Sequence, residues 1–165
     1  MGHYEYLYLD STTPIAGEAD WFMRELGFEL IPVQGGDPEE IGLRGPASTV
    51  DGLVGLAVGH NYSALPDPEP DEVQAIDAYR VEIEFWHRRR DTEDQRREAR
   101  VLFDRLVAAR PSTPMLLTFG TCHLAASWSL PRGLREFPAD TSIYASDIDQ
   151  WRPWVIGTRP WMAGS

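Results

Sequence analysis

Residues 79–85, Tyr79-Arg80-Val81-Glu82-Ile83-Glu84-Phe85, alternate apolar and charged side chains without a break. A period of two places Tyr79, Val81, Ile83 and Phe85 on one face of a strand and Arg80, Glu82 and Glu84 on the other. Thr92-Glu93-Asp94-Gln95 follows with the spacing of a capping box, in which Thr92 accepts from the Gln95 amide and the Gln95 side chain reaches back. The helix this begins carries Ala99, Leu102, Phe103, Leu106 and Ala109 as its buried stripe and is stopped by Pro111 and Pro114, which predicts a helix over 92–109. Glu93–Arg97 and Arg100–Asp104 are spaced as i,i+4 ion pairs on its outer face. Strands are expected at 115–119 and 123–129, joined through Gly120-Thr121.

Working back toward the N-terminus, the same order is met once more. Tyr4-Glu5-Tyr6-Leu7-Tyr8-Leu9 reads as a strand with three tyrosines on one face and two leucines on the other. Thr13-Pro14 offers an N-cap and a first-turn proline, and Ala19, Phe22, Met23 and Leu26 repeat at helical spacing before Gly27, which predicts a helix over 13–26. Short strands are expected at 28–33, 40–44 and 53–58. The chain is therefore read as a single α+β domain spanning 1–165, with two successive β-α-β-β(-β) halves at 1–60 and 75–130 and a mixed or mainly antiparallel sheet. An acidic, proline-rich connection, 61–74, is expected to be exposed, and a tryptophan-rich tail, 131–165, to lay Trp151, Trp154 and Trp161 against the sheet.

The 165 residues, 42% hydrophobic, suffice for one ordinary core. One cysteine, Cys122, allows no internal disulfide, and neither a basic-then-apolar leader nor an apolar run of membrane-spanning length is found, so a cytoplasmic protein with no membrane partner is expected. The net charge of −11 makes nucleic-acid binding unfavourable. Residues 1–77 hold 15 acids against two arginines, whereas residues 78–165 hold 11 acids against 13 arginines.

The segment Trp21-Phe22-Met23-Arg24-Glu25-Leu26-Gly27-Phe28 after a strand and helix, together with the repeated strand order, resembles the vicinal oxygen chelate superfamily, the glyoxalase and bleomycin-resistance group. That resemblance implies paired β-α-β-β-β modules around a cup that takes a small molecule, with or without a divalent metal. His3, Glu5, His60, Glu82, Glu84 and His87 are the residues that correspond to its ligand-bearing strands. The fourth strand offers no ligand before His60, and no metal or cofactor is assigned.

Other constellations have plain structural readings. Cys122 and His123, as strand neighbours, should point to opposite faces and fail to pair. Glu82 and Glu84 could be paired carboxylates, and a charged outer sheet face explains them as well. His87-Arg88-Arg89-Arg90 with Arg96, Arg97 and Arg100 could hold an anion, although Asp91, Glu93, Asp94 and Glu98 are interleaved to neutralise it. No phosphate loop, zinc-spaced Cys/His set or nucleophile elbow occurs, so no catalytic residue is assigned. The reading preferred is an acidic, non-catalytic binding protein, of inhibitor or immunity type, whose basic protein partner is met by Asp67, Glu69, Asp71, Glu72 and Asp77, with Tyr62 as an anchor and Tyr144 or Trp161 as further ones. A homodimer through sheet edges is compatible with either reading.

Overall fold

The computed structural model of the chain describes residues 3–32, 38–87 and 91–155. In chain order the elements are β1 (Glu5–Leu9), α1 (Ile15–Leu26), β2 (Glu29–Ile31), β3 (Ile41–Pro46), β4 (Leu53–His60), β5 (Val81–His87), α2 (Thr92–Ala109), β6 (Met115–Phe119), β7 (His123–Ser129) and β8 (Gly133–Glu136). A 3-10 turn at Ala145–Asp147 leads into a single helical turn, α3 (Ile148–Trp151). The α+β class holds, and β8 completes a second β-α-β-β-β order that the sequence pattern loses after Leu130. None of the helices described is long and apolar enough to cross a membrane.

All eight strands form one sheet, β2-β3-β4-β5-β1-β6-β7-β8, antiparallel throughout. The two opening strands, β1 and β5, lie side by side at its centre. Each continues into the other half: β5 pairs with β4, and β1 with β6. Because β5 and β6 both run antiparallel to β1, they are parallel to each other across it and are joined by α2, a split β-α-β arrangement. The three-stranded runs are placed in opposite senses, β2-β3-β4 entering from one edge and β6-β7-β8 leaving toward the other. The halves share an element order, not a strand position.

Period two sets the layers. Leu7 and Leu9 of β1, Val81, Ile83 and Phe85 of β5, and Val54, Leu56 and Val58 of β4 meet Phe22 of α1 and Phe103 and Leu106 of α2 in one cluster, so both helices cover the same face. Each fully buried side chain of this size contributes about 1.5–3 kcal/mol relative to exposure. Ala109, assigned to the buried stripe, is exposed at the end of α2. On the opposite face, Ile76 and Tyr79, between the connection and β5, and Phe137, Ile143 and Trp151 of the tail pack on Tyr8, Leu116 and Leu124. Trp154 packs beside them, and Trp161 lies outside the described residues.

The connection itself, 61–74, is mostly exposed, with Asn61 and Pro68 buried, and the segment that follows it, 75–79, is buried. Asn61 turns it inward, donating from Nδ2 to the carbonyls of Ile76 (2.9 Å) and Tyr79 (2.8 Å). Tyr79 consequently leaves the strand face shared by Val81 and Ile83 and joins the second cluster. The cap of α2 also differs from the sequence reading. Asp91, not Thr92, is the N-cap and accepts from the amides of Glu93 and Asp94. Gln95, released from capping, ties α2 to the sheet: its side chain accepts from the His87 amide and donates to Glu5 and to the His3 carbonyl. At α1 the cap is Pro14, with Gly27 ending the helix in the left-handed region (φ 70°).

Candidate functional site

The connection and tail cover the second face of the sheet incompletely. Over β4, β5 and β1 the cross-strand register builds two parallel ladders, Ala57–Glu84–Tyr6 and Gly59–Glu82–Tyr8. On β4 these positions carry a methyl group or nothing, so the glutamates of β5 are flanked on one side by bare backbone and on the other by phenols. The result is a hollow of about 190 Å³ lined by Glu40, Ala57, Gly59, His60, Tyr62, Glu82 and Glu84. One step along β4, Gly55 lies under the Trp86 indole, and Tyr4 meets that ring edge-on at 6.0 Å.

Tyr8 donates to Glu82 and Tyr6 to Glu84, and Ser63 adds a bond to Glu82 at 3.3 Å. Among the described residues no arginine pairs with Glu40, Glu82 or Glu84. Burial pushes the Glu82 carboxyl above its ordinary range; the bonds from Tyr8 and Ser63 oppose that, and the charges of Glu84 and Glu40 reinforce it. Glu84 is raised by burial and then by Glu40. The phenols answer in kind: burial and the adjacent carboxylates push Tyr6 up to about 12 and raise Tyr8 further. The hollow therefore concentrates negative charge that the described residues leave uncompensated, the setting in which a cation gains most.

Comparison with known proteins returned no matching family model, no matching curated protein and no matching solved structure. The site must be read from its own chemistry.

Glu82 and Glu84 lie part-exposed on the sheet face away from the helices, as an outer charged face requires, but Arg80 turns to Asp10 (3.7 Å) and not to them. Of the acidic connection, Asp67, Glu69, Asp71 and Glu72 are exposed. Asp77 is not part of that surface: fully buried, it accepts from the amides of Leu65 and Gln74 and folds the connection on itself. Tyr62 is 71% exposed and stands at the rim, its ring 5.8 Å from that of His60. Tyr144 is exposed on the tail segment.

The residues implied by the superfamily resemblance fall on both sides of the sheet. Glu5 lies on the helix side, where it accepts from Gln95 and from the Gly120 amide (3.0 Å), and His87 shares that parity on β5. Glu82 and Glu84 face the other way. Among the described residues no three His, Cys, Asp or Glu side chains are placed to hold a metal ion.

His60 uses Nε2 on Glu39 (2.8 Å), while Ser63 gives its hydroxyl proton to Glu82, so these two do not form a nucleophile and base. Cys122 lies in the turn before β7 rather than in the strand, so the alternation argument fails there and its Sγ sits 3.8 Å from Nδ1 of His123. Of the arginine concentration, Arg97 pairs with Asp94 and Arg100 with Asp104 and Glu136, while Arg96 stands 4.0 Å from Glu5; Arg88, Arg89 and Arg90 lie outside the described residues.

Proposed function

We propose that this chain is a non-catalytic acidic binding protein, of the inhibitor or immunity kind, that takes a basic side chain of a protein partner into the hollow over β4 and β5. The observation that carries the reading is the set of three carboxylates, Glu40, Glu82 and Glu84, gathered in one concavity with no cation paired to them among the described residues. A guanidinium or ammonium entering it would gain charge-assisted hydrogen bonds where water is partly excluded. Tyr62 at the rim supplies a ring on which such a group stacks. The exposed acids of the connection, Asp67, Glu69, Asp71 and Glu72, begin a few residues beyond Tyr62 and extend the negative field from the rim, which favours steering of a cationic partner.

The test is titration of the full chain with an arginine-containing basic peptide, followed by backbone amide shifts and repeated at increasing salt. Saturable shifts at Ala57, Gly59 and Glu84 that vanish in Glu82→Gln/Glu84→Gln support the reading. Binding that the double substitution leaves untouched, or no saturation at low salt, sinks it.

A further inference from the structure

A larger concavity lies on the other flank of the molecule, between α2 and the β7–β8 end of the sheet, and encloses about 450 Å³. It arises because the helices cover the centre of the sheet but not this end: Glu136 of β8 reaches across to Arg100 of α2 at 2.7 Å and leaves a gap above the β6–β7 turn. Its walls are apolar, with Phe119, Leu124, Phe137 and Pro138. Its charged groups are unequal. Arg100 is spent on Asp104 and Glu136.

Arg96 is not spent. Its guanidinium lies over the Phe119 ring, 5.1 Å from the centroid, and its side chain is 45% exposed. Among the described residues the one carboxylate within ion-pair reach is Glu5, at 4.0 Å, whose oxygens already accept from Gln95 and from the Gly120 amide. The exposed His123 lines the cleft as a second donor. Asp140, exposed on the loop after Pro138 and held at φ 69°, adds one negative charge to the lining. A polyanion would meet that carboxylate at a cost, whereas a single anionic group on an apolar body would satisfy Arg96 and fill the walls.

We infer that this cleft binds a small organic monocarboxylate with an aromatic or branched apolar body, anchored on Arg96 over Phe119. The site is separate from the acidic hollow and shares no residue with it.

Indole-3-acetate is the probe, titrated into the full chain and followed by amide shifts, with tryptamine and inorganic phosphate as the cationic and polyanionic controls. Indole-3-acetate is expected to shift the amides of Phe119, Ala125 and Ala139 saturably, and the controls are not. Arg96→Gln should weaken it about tenfold, the scale of a lost charge-assisted bond. Asp140→Asn, which removes the opposing charge from a surface loop, should tighten it by roughly twofold or more. Absence of saturation, equal binding of tryptamine or phosphate, or affinities unmoved in both variants overturns the assignment.

Discussion

Tyr8 of β1 donates its phenolic proton to Glu82 of the adjacent central strand, directly opposite it in the register. The bond holds a carboxylate on a partly covered sheet face, yet burial still leaves that carboxyl raised, and Glu84 beside it likewise. The sign of the pH dependence follows. A group whose pKa is higher folded than unfolded binds more protons in the folded state, so stability is greatest below the ordinary value of 4.5 and declines as pH rises through the folded value. Denaturant melts between mildly acidic and neutral pH should show this decline, and Glu82→Gln/Glu84→Gln should flatten it while raising stability at neutral pH. A steeper decline in the variant would contradict the assignment.

Glu98 should act in the opposite direction. Burial works to raise its carboxyl, but the Ser48 amide and the Thr49 amide and hydroxyl together hold it below the usual range. Its contribution is present above the ordinary carboxylate value and is lost as pH falls through the folded one. Glu98→Gln should therefore lower neutral-pH stability and reduce acid sensitivity, with faster hydrogen exchange at Ser48 and Thr49 as the local readout.

Much of the fold was legible because local signals agreed with the final packing. The alternation at 79–85, which holds from Val81 to Phe85, the apolar stripe of α2 and Gly27 at the end of α1 each depend on near neighbours in sequence. The hollow was not legible. It needs Tyr6 opposite Glu84 and Glu84 opposite Ala57, contacts that depend on strand register between segments tens of residues apart. β4 carries the small residues Gly55, Ala57 and Gly59, but only the placement of β5 beside them turns missing side chains into a cavity. Charge counting pointed to the first half, whereas the site draws Glu40 from one half and Glu82 and Glu84 from the other. Asp77 departs from its expected place for a related reason: its acidic neighbours are exposed, and only tertiary contacts reveal that it caps backbone amides instead.

The two helices are joined by an ion pair that should be costly to break. Arg110, at the end of α2, makes a two-pronged bridge to the fully buried Glu18 of α1, at 2.6 and 2.9 Å, and lies over the Trp21 ring at 5.4 Å. Arg110→Met keeps much of the packing but strands a buried carboxylate, so a loss of about 3–5 kcal/mol is expected. Adding Glu18→Leu to that variant should recover a large part of it, as read from denaturant midpoints.

Gly55 tests the surface beside the hollow. A Cβ placed there would stand 2.1 Å from the Trp86 indole, far inside contact distance. Gly55→Ala must push the ring away and with it the edge contact to Tyr4, at a cost of about 1–3 kcal/mol. The check is tryptophan emission, expected to shift to longer wavelength as the indole gains water.

The connection and the hollow should differ in which rate constant they govern. Asp67, Glu69, Asp71 and Glu72 are exposed, so their charges act through solvent at long range and are screened by salt. Neutralising all four should slow association with a basic peptide by about tenfold at low salt, flatten the salt dependence, and leave dissociation nearly unchanged. Glu82 and Glu84 act at contact, where a lost charge-assisted bond speeds dissociation. Stopped-flow measurements on the two sets of variants separate the roles: faster dissociation from the connection variant, or slower association alone from the hollow variant, would mean that the contact surface lies on the connection and that the hollow supplies only field.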